Sequence, residues 1–453
     1  MLTREDNEIL TQVGPGTPMG ELMRQHWQPV LLSAELPERD GSPLRVRHLS
    51  EDLVAFRDSD GAVGLVAENC PHRGASLFFG RNEEAGLRCV YHGWKFDASG
   101  ACVDMPNEPP ESNFRHKVKI MAYPCVERGG VIWTYMGRAA EPPKLPDLEW
   151  NLVPESQVYL SKRVAQNNYM QSLEGEIDSS HSGFLHSLIE EEANYDSMSA
   201  HRRPNPTPDS MGMYYKMKDR HPHFETLHTD YGVMIGARRR AEEDSWYWRI
   251  TQFLMPFYTI IPPYGQDPSF SGHAWLPMDD HHVICMCFTY HPTKPLTEQH
   301  LHNLRNGREG LQGLHPTVDA FLPSTSRPAG AWWPRINRDN DFMQDWERQK
   351  HVAFSGLPGT WPQDSGCQET MGPIYDRTRE RLGTSDTGII QVRRRLIQAA
   401  RELRETGQPP REPQNPQMYG IRSAAVVLPR KEHWVEAAAE YLKATPGVNF
   451  AAA

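Results

Sequence analysis

Cys70-Pro71-His72-Arg73-Gly74 is followed, after sixteen residues counted from His72, by Cys89-Val90-Tyr91-His92-Gly93-Trp94. Each carries one Cys and one His. Structural zinc sites use the same residue types, but typical fingers pair Cys with Cys and His with His. One Cys and one His per loop suits instead a two-iron cluster with unlike irons, one held by both thiolates and one by both imidazoles. Neutral imidazole brings less negative charge than thiolate, so the reduced cluster forms more easily. Pro71, Gly74 and Gly93 permit tight turns that let backbone N–H groups approach the sulfurs. Tyr91 and Trp94 would shield the cluster.

The residues around the two loops read as short strands. Leu53–Arg57 and Ala62–Ala67 flank Asp58-Ser59-Asp60-Gly61. Trp94–Phe96 and Ala101–Val103 flank Asp97-Ala98-Ser99-Gly100, and Val118–Ala122 and Val131–Tyr135 lie either side of Gly129-Gly130. Close spacing with turn signals predicts a small all-β module, preceded by a short helix over Thr17–His26. A Pro-rich break at Glu141–Pro146 marks a domain boundary. With 38 Pro and 34 Gly in 453 residues, loops should be plentiful. Lys plus Arg number 48 against 58 Asp plus Glu, a net charge of -10 that argues against a nucleic-acid surface. No apolar run approaches the length that spans a bilayer. Met1–Leu10 is polar and acidic, unlike a signal peptide, so the expectation is a cytoplasmic protein. An odd count of seven Cys argues against a disulfide framework. Cys102, Cys125, Cys285, Cys287 and Cys367 read as small buried hydrophobes.

Beyond the break, Asn167–Glu190 has few breakers and reads as helical. Trp246–Leu254, Thr259–Pro262 and Val283–Tyr290 read as strands. Asp341–Lys350, Ile389–Thr406 and Trp434–Ala444 read as helices. Strands mixed with long helices, without regular alternation, predict an α+β chain. Within NNYMQSLEGEIDSSHSGFLH (167–186), Asp178 and His181 share a helical face. His181 and His186 are five residues apart, about 140° round an ideal helix. A π-bulge or a break near Gly183 is needed if both are to aim at one metal. Two His plus one carboxylate with open positions is the facial triad of non-heme Fe(II) oxygenases. Carboxylates available in RINRDNDFMQDWERQK (335–350) are Asp339, Asp341, Asp345 and Glu347, and spacing does not choose among them.

These motifs together resemble the oxygenase (alpha) components of the Rieske non-heme iron aromatic-ring-hydroxylating oxygenases, most of all the phthalate dioxygenase-like branch. The resemblance rests on C-x-H-x16-C-x-x-H at Cys70–His92 and on N-x-x-Q-x-L-E-G-x-x-D-x-x-H-x-x-x-x-H from Asn168 to His186. It rests also on Leu382-Gly383-Thr384-Ser385-Asp386 before an Arg-rich helix. It implies an all-β Rieske [2Fe–2S] domain with a helical lead-in over 1–146. A helix-grip catalytic domain of antiparallel sheet and helices, with mononuclear Fe(II), is implied over 147–453. The cluster would be held by Cys70, His72, Cys89 and His92, and the iron by His181, His186 and a carboxylate. An N-D-aromatic-x-x-D pattern at Asn340–Asp345 makes Asp341 that carboxylate, with Asp345 as runner-up.

The resemblance also implies that Asp178 bridges a cluster His of a neighbouring subunit and an iron-ligating His of its own chain. The family assembles as homotrimers or hexamers. Electrons would come from NAD(P)H through a separate reductase (flavin/iron–sulfur) or ferredoxin, and O2 is the co-substrate. This chain shows no nicotinamide fingerprint of its own. Asn168 and Gln171 are candidates for a role beside the iron. The expected substrate is an aromatic carboxylate, undergoing phthalate-like ring dioxygenation or O-demethylation of a methoxylated lignin-derived acid. A Rieske monooxygenase acting on a steroid or other alicyclic compound is the alternative. Arg202, Arg203, Arg238, Arg239, Arg240 and Arg249 are candidate cations for a carboxylate, although a run of three Arg reads first as solvated surface. Ser179 is a further candidate contact.

Overall fold

The computed structural model describes residues 1–189, 211–265, 267–306 and 320–445. Helices α1 (Arg4–Thr11) and α2 (Pro18–Arg24) start where the hydroxyls of Thr3 and Thr17 accept from the N–H of Asp6 and Gly20. Three small antiparallel sheets follow. The first orders β1 (Trp27–Leu32), β11 (Val131–Tyr135) and β10 (Cys125–Arg128). The second orders β2 (Leu44–His48), β3 (Glu51–Arg57), β4 (Val63–Ala67) and β9 (Ala122–Tyr123). The third orders β5 (Arg81–Glu83), β6 (Gly86–Arg88), β7 (Lys95–Phe96) and β8 (Cys102–Asp104). Of the predicted strand over Val118–Ala122, which follows the 3₁₀ segment Phe114–Lys117, Lys119 makes an isolated bridge to Ala101 and Ala122 alone joins a strand.

The second half is built on one antiparallel sheet. Its order is β12 (Val158–Ala165), β18 (Val283–Tyr290), β17 (Phe270–Pro277), β16 (Tyr258–Ile261), β15 (Ser245–Leu254), β14 (Gly232–Arg240) and β13 (His223–Thr229), with β19 (Ala424–Pro429) paired to β15. Helices are α3 (Tyr169–Ile177), α4 (Met211–Lys218), α5 (Glu298–Arg305), α6 (Trp346–His351), α7 (Thr360–Thr370) and α8 (Thr387–Thr406). Helix α3 lies on β15–β17 and against α7, while α8 covers β13 and β14 and receives α1 and α2 on its other side. The lead-in helices thus pack on the second half as well as preceding the first.

The halves share one apolar core. Trp133 of β11 stacks on Trp150 at 5.7 Å between centroids, and Trp150 stacks on Phe288 of β18 at 5.1 Å. Each such pair is worth about 0.5–1.5 kcal/mol beyond the area it buries. Leu49 and Ser50 donate backbone N–H to Pro277 and Met278, and Arg47 pairs with Asp279 at 2.8 Å.

Several predicted helices are shorter than their patterns. Within the predicted helix Asn167–Glu190, α3 covers Tyr169–Ile177, and Glu190 lies outside the described residues. The Asp178 carboxylate accepts from the N–H of Ser180 (2.6 Å) and His181 (3.1 Å), which draws the backbone out of the helix. Asp341–Lys350 is helical only from Trp346, because Asp341, Phe342 and Met343 have positive φ. Trp434–Ala444 is two single turns meeting at Ala438. Of the Cys read as buried, Cys102, Cys285 and Cys287 are buried, Cys125 is half-buried and Cys367 is exposed.

Candidate metal centres

The two Cys–His loops close in the same way. Cys70 donates its N–H to Ala75 and accepts at its C=O from Gly74; Cys89 donates to Trp94 and accepts from Gly93. Gly74 (φ 75°) and Gly93 (φ 81°) take the left-handed conformation that the closure needs. A Cβ on Gly93 would also lie 2.5 Å from Pro106 Cγ. Equivalent closures bring both Cys into one buried cluster, where each is 2% exposed, and set the His72 and His92 rings 4.4 Å apart. The Trp94 ring stacks on His72 at 4.4 Å and is itself anchored by Asn107 Oδ1. His72 Nδ1 is buried with no hydrogen-bond partner among the described residues. A neutral imidazole nitrogen left so is costly unless it ligates, and this donor set fits a [2Fe–2S] cluster. Val90, Tyr91 and Phe79 are exposed around the His edge.

The second centre forms where α3 ends. The turn at Asp178 leads into the 3₁₀ segment His181–Gly183, so His181 and His186 converge without a π-bulge. The break comes at Asp178 rather than near Gly183. The two Nε2 atoms are 3.1 Å apart. Asp364 of α7 brings Oδ1 to 3.6 Å from His181 Nε2 and 3.3 Å from His186 Nε2. The carboxylate beside the imidazoles is therefore Asp364, and not Asp341 or Asp345. Asp341 is exposed in the left-handed segment, and Asp345 caps α6 by accepting from Arg348 N–H. Asp339 and Glu347 are also exposed.

His186 is held from behind by a hydrogen bond, and His181 has a carboxylate near its Nδ1. His186 Nδ1 donates to Gln363 Oε1 at 2.6 Å, and His181 Nδ1 lies 3.4 Å from Asp178 Oδ2. With protons on Nδ1, both Nε2 lone pairs face each other and a carboxylate. Such a cluster of acceptors is repulsive unless a cation lies between them. Donors 3.1, 3.3 and 3.6 Å apart are close enough for all three to reach one ion at bonds of about 2.1 Å. Burial opposes ionisation of Asp178 and Asp364, but the neighbouring imidazoles outweigh it and hold both below the ordinary carboxylate range. Burial likewise opposes charge on His181, and Asp178 outweighs it and raises the imidazole.

Asn168 and Gln171 do not reach this centre. Asn168 caps α3 and donates to Thr11 and Asp280 carbonyls. Gln171 donates to the Gln368 and Gly372 carbonyls and accepts from Tyr375 N–H, which ties α3 to the end of α7. Gly175 permits that contact, since a Cβ there would lie 2.3 Å from Gln368 Nε2. Both residues fix the place of α3, the helix that leads into the histidine segment, and Gln171 ties it to α7, which carries Asp364.

Strand alternation resolves the arginine run. Arg239 is 1% exposed, whereas Arg238 is half-buried and Arg240 is exposed. Arg239 donates to Ser179 O (2.7 Å) and Ser179 Oγ (3.3 Å), beside Asp178. Arg249 is buried, donates to Tyr247 Oη and Pro262 O, and sits 4.5 Å over the Tyr264 ring. Neither guanidinium has a carboxylate within ion-pair reach among the described residues; the neighbouring Asp219 carboxylate pairs with Arg240. Burial and Arg249 push Arg239 down to about 10. Burial would raise Tyr264, but Arg249, Lys216 and Arg239 bring it down to about 8. Lys216 and Tyr264 escaped the sequence reading because nothing in their local pattern distinguishes them from ordinary polar residues. Arg202 and Arg203 lie outside the described residues.

A model of the Rieske [2Fe-2S] domain matches residues 26–124, and one described as LigXa C-terminal domain like matches residues 134–450. The 3-chlorobenzoate-3,4-dioxygenase oxygenase subunit of Comamonas testosteroni is 39% identical, covering 96% of this chain and 97% of that protein. The phthalate 4,5-dioxygenase oxygenase subunit of Pseudomonas putida is 38% identical over 88% of this chain and 86% of its own. A crystal structure of dicamba monooxygenase bound to 3,6-dichlorosalicylic acid shares the fold, with TM-score 0.54, 18% identity, and coverage of 84% of this chain and 98% of that one.

Proposed function

The chain belongs to the Rieske oxygenases, as the terminal oxygenase component of a multicomponent system with a separate electron donor, and from that premise we propose that it oxidises an aromatic carboxylate. The observation that carries the substrate class is the pair of buried guanidiniums, Arg239, bonded to Ser179 beside Asp178, and Arg249, over the Tyr264 ring. Buried cations without carboxylates are costly unless an anion answers them. The names of the two relatives, a chlorobenzoate and a phthalate dioxygenase subunit, support the same reading.

In this reading Cys70, His72, Cys89 and His92 hold the cluster, and His181, His186 and Asp364 hold the iron. Bound there, the cluster supplies electrons one at a time and the iron activates dioxygen. Gln363 keeps the His186 proton on Nδ1, which leaves Nε2 free to ligate. Asp178 faces His181 Nδ1 at 3.4 Å, and its carboxylate has capacity to accept an imidazole N–H from the cluster of another copy of this chain. That role requires a homotrimer or hexamer. Arg239 and Arg249 orient the substrate carboxylate, and Ser179, held by Arg239, borders the same space. The division into domains at 146/147, the NAD(P)H-dependent reductase and a cytoplasmic location belong to the same proposal. No helix of the described residues is long and apolar enough to cross a membrane.

The test is a single turnover of chemically reduced holoenzyme with a panel of aromatic acids, some methoxylated, under ¹⁸O₂. Product carrying two labelled oxygens identifies ring dioxygenation. Loss of a methyl group as formaldehyde identifies O-demethylation. Turnover of steroid or alicyclic compounds, with no product from any aromatic acid, overturns the substrate class.

A further inference from the structure

Two residues before Asp178, Glu176 turns toward the sheet and accepts from His273 Nδ1 at 2.8 Å. His273 Nε2 and the sulfurs of Cys285 and Cys287 lie within 4.8 Å of one another. Cys285 and Cys287 occupy alternate positions on β18, so both sulfurs leave the same face, 3.7 Å apart. Arg163, opposite Cys285 on β12, donates Nη1 to Cys287 Sγ at 2.9 Å, and its Nη2 lies 3.3 Å from His273 Nε2. The guanidinium stacks on Trp361 of α7 at 3.7 Å. Cys285 and Cys287 are 0% exposed, His273 is 1% and Arg163 4%.

One His and two Cys are donors that suit zinc. Here, however, a guanidinium already occupies the face of the Cys287 sulfur, and a metal cation would have to displace it. Nor is this ordinary core packing, since a buried guanidinium donates to the Cys287 sulfur at 2.9 Å. Burial opposes a Cys287 thiolate, but the Cys285 thiol, Arg163 and His273 outweigh it and bring Cys287 well below its ordinary range. Burial and the adjacent sulfur push Cys285 well above. His273 is raised to about 9: burial opposes its charge, and Glu176 and Cys287 outweigh it. One sulfur is prepared as the nucleophile and the other remains a thiol beside it.

We infer that Cys287 and Cys285 form a peroxide-reactive thiolate–thiol pair that closes reversibly to an intrastrand disulfide. The Cys287 thiolate attacks hydrogen peroxide, the O–O bond breaks, and the products are Cys287 sulfenic acid and hydroxide. The Cys285 thiol then attacks that sulfur, forming the S–S bond and releasing water. Peroxide gains two electrons, one drawn from each sulfur. Positions two apart on a strand have Cα atoms about 6.6–6.8 Å apart. That is the long end of the disulfide range, so the bridge forms under strain and is readily reduced. Dioxygen reduced by two electrons without reaching substrate leaves as hydrogen peroxide, so the proposed oxygenase activity is one source of the oxidant. These residues reach α3, which leads into the histidine segment, through Glu176, and α7, which carries Asp364, through Trp361, and oxidation of the pair is expected to lower turnover reversibly.

The test exposes holoenzyme to added hydrogen peroxide, quenches with acid, alkylates under denaturing conditions and maps the peptides by mass. Because peroxide is added and mass is read, failure here is distinguishable from failure of the oxygenase reading. The expected result is a β18 peptide two hydrogens lighter, closed to alkylation, reopened by dithiothreitol, and formed before exposed Cys367 is oxidised. Cys285→Ser should leave Cys287 as a sulfenic acid captured by dimedone, and Arg163→Met should slow closure roughly tenfold or more by lowering the thiolate fraction. Full alkylation of Cys285 and Cys287 after Cys367 has been oxidised overturns the inference. So does over-oxidation of Cys287 with Cys285 left untouched. Where a variant fails to fold, the wild-type map decides alone.

Discussion

Asp364→Asn keeps the size of the side chain and removes its charge. Asp364 Oδ1 is the carboxylate oxygen near both histidine Nε2 atoms, at 3.6 and 3.3 Å. Without that charge, a cation among the three donors faces two neutral imidazoles and an amide. Removing one partner of a buried charge pair costs about 3–5 kcal/mol. At about 1.4 kcal/mol per tenfold, iron binding should weaken from roughly a hundredfold to a few thousandfold. The assay is iron content after dialysis against a chelator, read beside the visible absorbance of the [2Fe–2S] cluster. Asp364→Asn should lose the mononuclear iron and turnover while the cluster absorbance stays. Asp341→Asn is the control. Its side chain is exposed, Asn accepts the left-handed backbone, and the change should stay within about 0.5 kcal/mol. Iron kept by Asp364→Asn but lost by Asp341→Asn would refute the reasoning and return the third ligand to the 338–345 segment.

Gln363→Leu removes the acceptor that His186 Nδ1 uses at 2.6 Å, and iron affinity should fall about 10- to 100-fold, with Gln363→Glu restoring most of it. Gly93→Ala places a Cβ 2.5 Å from Pro106 Cγ at φ 81°; left-handed strain of about 1–2 kcal/mol and overpacking of about 1–3 kcal/mol should lower both cluster yield and Tm. Arg239→Gln should reduce kcat/KM for an aromatic carboxylate roughly 10- to 100-fold, from a charge-assisted bond of about 1.5–3 kcal/mol, and leave a neutral analogue little affected. Tyr264 ionises near 8: below that pH the phenol is neutral and the cations are uncompensated, and above it the phenolate offsets them. KM for a carboxylate should therefore rise as pH passes about 8, and Tyr264→Phe should abolish that rise.

Residues close in sequence carried most of what could be read early. Cys70, His72, Cys89 and His92 lie within two short loops, so their types and spacing specify the chemistry before any packing is considered. His181, His186 and Asp178 share one segment and stood out for the same reason. The helix through them did not, because the Asp178 carboxylate competes for backbone N–H groups and ends α3 there, which residue periodicity does not register. Asp364 was passed over although its helix, TWPQDSGCQET, holds only one other charged residue, Glu369. An acidic residue in a helix with only one other charge is the available signal. Arg239 was hidden by the opposite problem, a charged run that looks solvated until strand alternation turns its middle member inward.

Local spacing and residue types that few other sites require are enough for the α+β class, the Rieske-type cluster and the paired histidines. Tertiary structure decided which distant groups meet those residues. Gly175 lets α3 approach α7, which brings Asp364 and Gln363 to the histidines. The antiparallel register places Arg163, His273, Cys285 and Cys287 side by side. Both outcomes follow from packing between segments far apart in the chain, and a one-dimensional pattern holds no record of those distances.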